Sequence, residues 1–525
     1  MSVIVYSALG VLCLLLLKSL FGRKGSSAPL PPGPPGKLIV GNLRDLPPSG
    51  SHEWLHWWKY KDLYGGISSL NIFGQTLIII NDADAAITLF EKRSAIHSAR
   101  PEFPMAELSG WGQAVSLLQC TPLFRTHRKA LHRELGTTAA VARFNDVLDI
   151  EVRRFLLRVI QTPDQLMEYI RKQTGASILK IGYGYNVEPK GRDPLVDLVE
   201  KGMAEFCDVV VPHGWLVNLV PAFKHFPSWL PGGGFHKTAE EYRNSVARLR
   251  DLPYYFVKRQ MEQKKDTPSF VSSSLNKEPV EPGSEDEMVL KWSAVSLYAG
   301  GADATVSSIA CFFLAMALYP DVQRRAQEEI DRVVGTSRLP SFQDRENLPY
   351  INAMAQEILR WHPIAPVGFV HKSSEEDIYD GYRIPKGAIM IPNIWGFMHD
   401  PSIYHDPMAF KPERFLSEKG HTPERDPNMF AFGFGRRICP GRVLANADIF
   451  LTIAQAVASL NIMKPVKDGT EIPVKAEFLP GVISHPAPFE VTIKPRSRGH
   501  EELIREVERL VPEEKSDAEA LIRGV

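Results

Sequence analysis

The stretch Ala431-Phe432-Gly433-Phe434-Gly435-Arg436-Arg437-Ile438-Cys439-Pro440-Gly441-Arg442 decides how the rest of the chain is read. A glycine-rich loop delivers one cysteine, with arginine just before it, onto what the pattern predicts as the first turn of an apolar helix, Val443 to Leu460. Pro440 sits where a helix begins without losing a hydrogen bond. The N–H groups gathered at that start, with Arg437 nearby, favour thiolate over thiol, and the thiolate is the form that ligates metal. The bland alternative is a buried, inert cysteine, the usual state of a lone one.

Phe432, Gly435, Arg437, Cys439 and Gly441 satisfy Phe-x-x-Gly-x-Arg-x-Cys-x-Gly. That pattern resembles the haem-binding motif of the cytochrome P-450 family, the haem-thiolate monooxygenases. The resemblance implies that Cys439 is the axial ligand to the iron of haem b, that Arg437 pairs with a haem propionate, and that Phe432 packs beside the sulfur. A thiolate ligand pushes electron density onto iron and favours O–O cleavage. Glycines in such a loop let backbone approach the ring where a Cβ would collide. The implied fold is mainly α with a small β-rich region, preceded by one N-terminal transmembrane helix.

Size and composition agree with a large globular body: 525 residues, 44% hydrophobic and 23% charged. Lys+Arg and Asp+Glu each number 61, so no overall basic field points to nucleic acid, and a charge-guided partner must meet a local patch. The five cysteines, Cys13, Cys120, Cys207, Cys311 and Cys439, lie far apart, which argues against a disulfide framework or zinc site and for a reducing compartment.

Four regions are expected. Residues 1–24 form a membrane anchor: Val3 to Leu17 is almost wholly apolar, and Lys18, Arg23 and Lys24 on its C-terminal flank place the remaining chain in the cytoplasm. A cleaved signal peptide is the alternative. Residues 25–36 are a stiff proline-rich spacer, 37–495 the catalytic body, and 496–525 a charged tail, read as solvated, with a partner-binding helix as second choice. Within the body, Gly66 to Ile80 reads as a β-hairpin around Gly74-Gln75, Asp82 opens a helix, and Pro268 to Glu287 reads as a surface linker. The apolar run Trp215 to Val220 is either a membrane-dipping patch or core.

Phe124 to Leu135 reads as a basic helix carrying Arg125, Arg128, Lys129, His132 and Arg133. The family pattern there is Trp-x-x-x-Arg, both residues donating to a propionate. Arg128 matches, while Phe124 keeps the packing and loses the N–H donor. By resemblance, part of this face docks a redox partner.

Met288 to Tyr319 is predicted as one long buried helix containing Ala299-Gly300-Gly301-Ala302-Asp303-Ala304-Thr305. Paired glycines weaken a helix by roughly 1 kcal/mol each, which an oxygen groove or close helix packing would justify. The segment resembles the family's Gly-Gly-x-Asp-Thr motif, so Asp303 and Thr305 are the candidate catalytic residues. The usual threonine falls on Ala304, however, and Thr305 lies about 100° further round the helix, where its hydroxyl could bond back to a carbonyl one turn earlier. Proton delivery is then expected to rely on Asp303, ordered water and a substrate hydroxyl.

Glu357 and Arg360, three apart on a helix from Pro349 to Trp361, precede Pro412-Glu413-Arg414-Phe415. Together they resemble the family's Glu-Arg-Arg triad, implying a structural network of Glu357, Arg360 and Arg414. His371 resembles a position that donates to a propionate. Phe478 to Phe489 resembles a hairpin whose tip, near Val482 and Ile483, reaches the pocket. No G-x-G-x-x-G dinucleotide fingerprint is present, so electrons must come from another protein. The resemblance implies NADPH–cytochrome P-450 reductase, with cytochrome b5 as a second donor, an apolar small-molecule substrate such as a terpenoid or polyketide, and the endoplasmic reticulum membrane. A non-redox haem-thiolate isomerase or dehydratase, or a haem-binding sensor, is the alternative.

Overall fold

The computed structural model describes residues 28–211, 214–417 and 420–522, so the expected anchor lies outside the described residues. From Pro29 onward the proline-rich segment is extended and docked on the body. Ser69 donates its backbone N–H to Pro32 O and its hydroxyl to Pro31 O, and Arg383 N–H donates to Pro29 O. A Cβ on Gly33 would sit 1.9 Å from Ser69 O, so only glycine permits that approach. The composition predicts a free spacer; prolines that cannot join a ladder as donors still accept from one.

The chain is mainly helical, with small sheets. The largest sheet has four strands in the order Ile67–Ile72, Gln75–Ile80, Ile389–Pro392, His371–Lys372, and only the middle pair runs parallel. Its first hairpin turns at Phe73-Gly74, one residue before the expected place, because both residues take positive φ (48° and 86°) as a two-residue hairpin turn requires.

The organising element is the helix Glu285–Leu318, capped by the Ser284 hydroxyl accepting from Glu287 N–H. It is long and apolar enough to cross a membrane, yet most of it is buried inside the body, so it is a core helix. Leu166–Tyr183, Arg442–Ser459 and Pro122–Leu135 pack against it, the first most extensively.

Two expectations are corrected. Pro268 to Glu287 is a surface linker only in part: Phe270–Lys277 is a helix capped by Ser269, burying Phe270, Val271 and Ser272, and Glu285 already opens the long helix, which leaves residues 278–284 as the exposed connection. The tail is not solvated either. Arg498–Leu510 buries Ile504 and Val507 against Asn145–Gln161 and Arg442–Ser459. Beyond it Glu513 pairs with Arg158, Glu514 with Lys180, and Leu521 is buried. The run near Trp215 divides by face: Val217 is buried, whereas Leu216 is 54% exposed.

Candidate active site

A cavity of about 340 Å³ lies between the cysteine loop and the helix Glu285–Leu318. Its walls include Trp111, Val115, Phe206, Leu297, Phe369 and Ile483, and its floor is Phe432 to Gly441. Cys439 opens onto this cavity, and its backbone N–H donates to Phe432 O at 2.8 Å.

The helix after the cysteine starts at Arg442 with Gly441 as its cap, so Pro440 precedes the cap and lies outside the first turn. The N–H groups of Gly441 and Arg442, with the charges of Arg128 and Arg442, draw the Cys439 thiol towards ionisation. Burial is the larger influence and leaves it above the ordinary thiol range. Arg437 is not among the main influences, contrary to the sequence expectation, because its guanidinium is engaged elsewhere, at Ser98 O and the Phe124 ring. A coordinated metal would complete the ionisation, since its charge deprotonates a bound thiol outright.

Gly433 and Gly435 both have positive φ (73° and 49°), but for different ends. A Cβ on Gly435 would meet Phe90 O at 2.3 Å, so this glycine serves the packing of the loop on Thr88–Lys92. Gly433 has nothing nearer than Arg437 O at 3.9 Å and lines the open cavity.

Three arginines reach the cavity wall: Arg100, Arg128 and Arg437. Arg437 donates from Nε to Ser98 O at 2.7 Å and lies 4.3 Å over the Phe124 ring, while among the described residues its buried Nη1 and Nη2 have no hydrogen-bond partner. Phe124 thus replaces an indole donor with an aromatic face for the guanidinium. Arg100, to which the sequence reading gave no role, donates from Nη1 to Phe369 O and Val370 O and from Nε to Ser116 O. Burial and the charge of Arg437 press its pKa down to about 9. Among the described residues no carboxylate pairs with any of the three. Buried cations without a counter-charge are costly, so this wall is built for an anionic group. The two carboxylates of a haem fit it, with Cys439 on the floor as a soft ligand.

His371 lines the same wall and accepts no proton easily, since burial and Arg100 hold its pKa well below the usual range. Its Nδ1 donates to His97 O at 2.7 Å, which leaves Nε2 as an acceptor in the neutral ring. Donation to a propionate, as the resemblance implied, requires a second proton that the propionate's own charge would favour.

On the opposite wall, the helix passes Gly300 to Thr305 without interruption. The two glycines do different work: a Cβ at Gly300 meets nothing within 4 Å, whereas one at Gly301 would sit 2.7 Å from Ile178 Cδ1. Gly301 is a close-packing glycine; Gly300 is open to the cavity. Ala304 and Thr305 both line the cavity. Thr305 is buried, and among the described residues its hydroxyl has no partner, so the back-bond considered from sequence is not made. Asp303 is not on the cavity wall; its Oδ1 lies 3.2 Å from His485 Nε2 on the C-terminal hairpin. Of that hairpin's expected tip residues, Ile483 reaches the cavity and Val482 does not.

Away from the cavity, Glu357 and Arg360 are fully buried and joined by two bonds, Nε to Oε2 at 2.7 Å and Nη2 to Oε1 at 2.8 Å. Arg414 donates from Nε to Glu357 at 3.2 Å and pairs with Glu424 through Nη1 at 2.5 Å. Both arginines also hold backbone carbonyls between His405 and Ala409.

The Arg100 and His485 contacts had no sequence signal beyond residue type. Their partners lie 269 and 182 positions away, as the Arg100–Phe369 bond and the Asp303–His485 pair show. Comparison with known proteins agrees with the geometry. The sequence profile described as "Cytochrome P-450" matches residues 31–493. The cytochrome P-450 monooxygenase ppsD of Aspergillus oryzae is 52% identical over 494 residues, covering 94% of each chain. The O-methylsterigmatocystin oxidoreductase of Aspergillus flavus is 44% identical over 520 residues, covering 99% of this chain and 98% of that one. The cytochrome P-450 monooxygenase claR of Ampulloclitocybe clavipes is 47% identical over 500 residues, covering 95% and 92%.

Proposed function

The chain belongs to the cytochrome P-450 family of monooxygenases, and from that premise we propose that it inserts one oxygen atom from O2 into an apolar secondary metabolite of terpenoid or polyketide type. Its electrons originate in NADPH and arrive through a membrane-bound reductase, cytochrome b5 being a second donor, at the cytoplasmic face of the endoplasmic reticulum. One observation carries this reading: a soft sulfur ligand and three uncompensated arginines converge on a cavity whose remaining wall is aromatic and aliphatic. The relative named as an O-methylsterigmatocystin oxidoreductase supports a secondary-metabolite substrate.

Haem held through Cys439 supplies the activation of O2 and the oxidising power. The chain's own residues do the rest. Arg437, Arg100 and Arg128, which line the cavity wall, would hold the haem carboxylates, and Phe432 and Gly441 would pack about the sulfur. Trp111, Phe206, Phe369 and Ile483 take an apolar substrate and exclude bulk water. Asp303 is the acid on the oxygen-side helix next to Ala304, which lines the cavity, and Thr305 offers its hydroxyl to an ordered water or a substrate oxygen. The Glu357–Arg360–Arg414 network fixes the segment leading to the cysteine loop and takes no chemical step. The exposed Arg125, Lys129, Arg133, Arg436 and Arg442 form a basic face for an acidic redox partner.

The test is a reduced carbon-monoxide spectrum of the haem-loaded chain, with NADPH-dependent mass gains of one oxygen in candidate metabolites. The expected result is a red-shifted Soret band, lost in Cys439→Ser together with turnover. Turnover of a peroxide without NADPH would instead favour an isomerase, the reading that Ala304 at the usual threonine position would suit.

A further inference from the structure

Asp303 is turned away from the cavity. It faces a segment that returns to the oxygen-side helix from 182 positions downstream, where His485 Nε2 stands 3.2 Å from its Oδ1. Both side chains are about a quarter exposed, 25% for Asp303 and 23% for His485, so water reaches the pair, and the neighbouring Ala304 and Ile483 line the cavity. The backbone beside His485 is fastened to the same helix one turn on. Ser307 donates its hydroxyl to Ser484 O at 2.6 Å, and Ser484 N–H donates to Ile364 O. The Ser484 hydroxyl donates to Leu479 O and meets His362 Nε2 at 2.8 Å. His485 O in turn accepts from Leu479 N–H. The main chain at His485 is thus fixed against the oxygen-side helix, which places Nε2 at ion-pair distance from the carboxylate, while Nδ1 is buried and has no hydrogen-bond partner among the described residues. Other titratable groups facing the pair are Cys207, with Asp208 behind it, on Pro194–Val209, and His362 at the end of Pro349–Trp361. Burial holds the His362 imidazole well below the usual histidine range, so that ring faces the pair uncharged.

We propose that His485 is the positioning residue for Asp303: its Nε2–H sets the direction of the acid beside Ala304, and the pair together, rather than Asp303 alone, handles protons at the oxygen-side wall. This rests on the monooxygenase reading. It matters more in this chain than where a threonine supplies the neighbouring hydroxyl, because position 304 carries only a methyl group. A glutamine at 485 keeps an N–H in reach of Asp303 and cannot titrate, so it separates orientation from proton carriage.

Two measurements test this. In [15N]histidine-labelled, haem-loaded protein, taken as its diamagnetic ferrous carbon-monoxide form, His485 should show an exchange-protected Nε2–H signal, assigned by its loss in His485→Gln. That signal should disappear in Asp303→Ala. With reductase, NADPH and 7-ethoxycoumarin as an apolar probe, peroxide released per NADPH should rise in His485→Ala by up to about fivefold, the most a partly exposed ion pair sustains. His485→Gln should return within about twofold of the parent. A signal indifferent to Asp303→Ala, an unchanged peroxide share in His485→Ala, or a glutamine variant no better than alanine would each overturn the assignment. Should His485→Ala not fold, the glutamine variant and the imidazole signal decide it. A parent that consumes no NADPH would count against the monooxygenase reading, while the imidazole signal would still decide whether the pair forms.

Discussion

Replacing Glu357 by glutamine changes one atom in a fully buried charged group, and its cost can be worked from the structure. Glu357 accepts from Arg360 Nε at 2.7 Å, Arg360 Nη2 at 2.8 Å, Lys411 N–H at 2.7 Å and Arg414 Nε at 3.2 Å. Three of these meet Oε1 and one meets Oε2, so the amide nitrogen is best placed at Oε2. There it faces Arg360 Nε, donor against donor. The cluster of Glu357, Glu424, Arg360 and Arg414 also passes from neutral to a net positive charge. Removing one partner of a buried pair costs about 3–5 kcal/mol. Arg360 keeps carbonyl acceptors at Met398, Pro407 and Ala409, which favours the lower end, about 3 kcal/mol. Spread over a chain this long, that lowers the thermal midpoint by about 3 °C. The assay is thermal unfolding of the haem-loaded protein, followed by the red-shifted carbon-monoxide band. Loss of that band should precede global unfolding, because Arg414 reaches through Glu424 to the segment before the cysteine loop. A midpoint within about 1 °C of the parent, with an unchanged band, would refute the claim that this network supports the loop.

The paired glycines should respond oppositely. Gly301→Ala drives a methyl into Ile178 and should cost about 1–3 kcal/mol in urea unfolding, whereas Gly300→Ala meets open space and should gain up to about 1 kcal/mol of helix stability. Ala304→Thr should change product formed per NADPH by less than about twofold on the native substrate; a large improvement would exclude efficient proton delivery by other groups. Asp448, buried against Gln173, has its pKa raised by burial to about 7 from an ordinary 3.8. A carboxyl raised on folding contributes stability that is full below about pH 4 and lost as pH rises through about 7. Asp448→Asn should remove that slope, so denaturant midpoints of the variant measured across this range should exceed the parent's increasingly towards neutrality.

The local texture of the chain was enough for its long central helix, its first hairpin and the cysteine loop, because each rests on short-range rules: an apolar run free of proline, a positive-φ turn at Gly74, and glycines flanking a cysteine; the Ser284 cap, which starts that helix at Glu285, fell inside the stretch read as a linker. It was also enough for Glu357 and Arg360, which are neighbours by helical spacing alone. Where sequence reasoning went astray, a long-range contact was responsible. The tail looked solvated because its charge pattern is that of an exposed helix, yet its narrow stripe of Ile504 and Val507 found a helix more than 300 positions upstream, as the pair Arg158–Glu513 marks. The Cys439 thiol looked electrostatically ionised until burial was weighed against its N–H neighbours. Sequence alone determined that a sulfur ligand, a family scaffold and an altered oxygen-side helix are present, since these are written within single segments. Only the tertiary structure decided which arginines share the cavity wall, that Gly301 serves packing while Gly300 stays open, and that Asp303 looks towards His485. Such choices depend on the direction of side chains brought together from distant segments, and direction in space is not a property of any one stretch of chain.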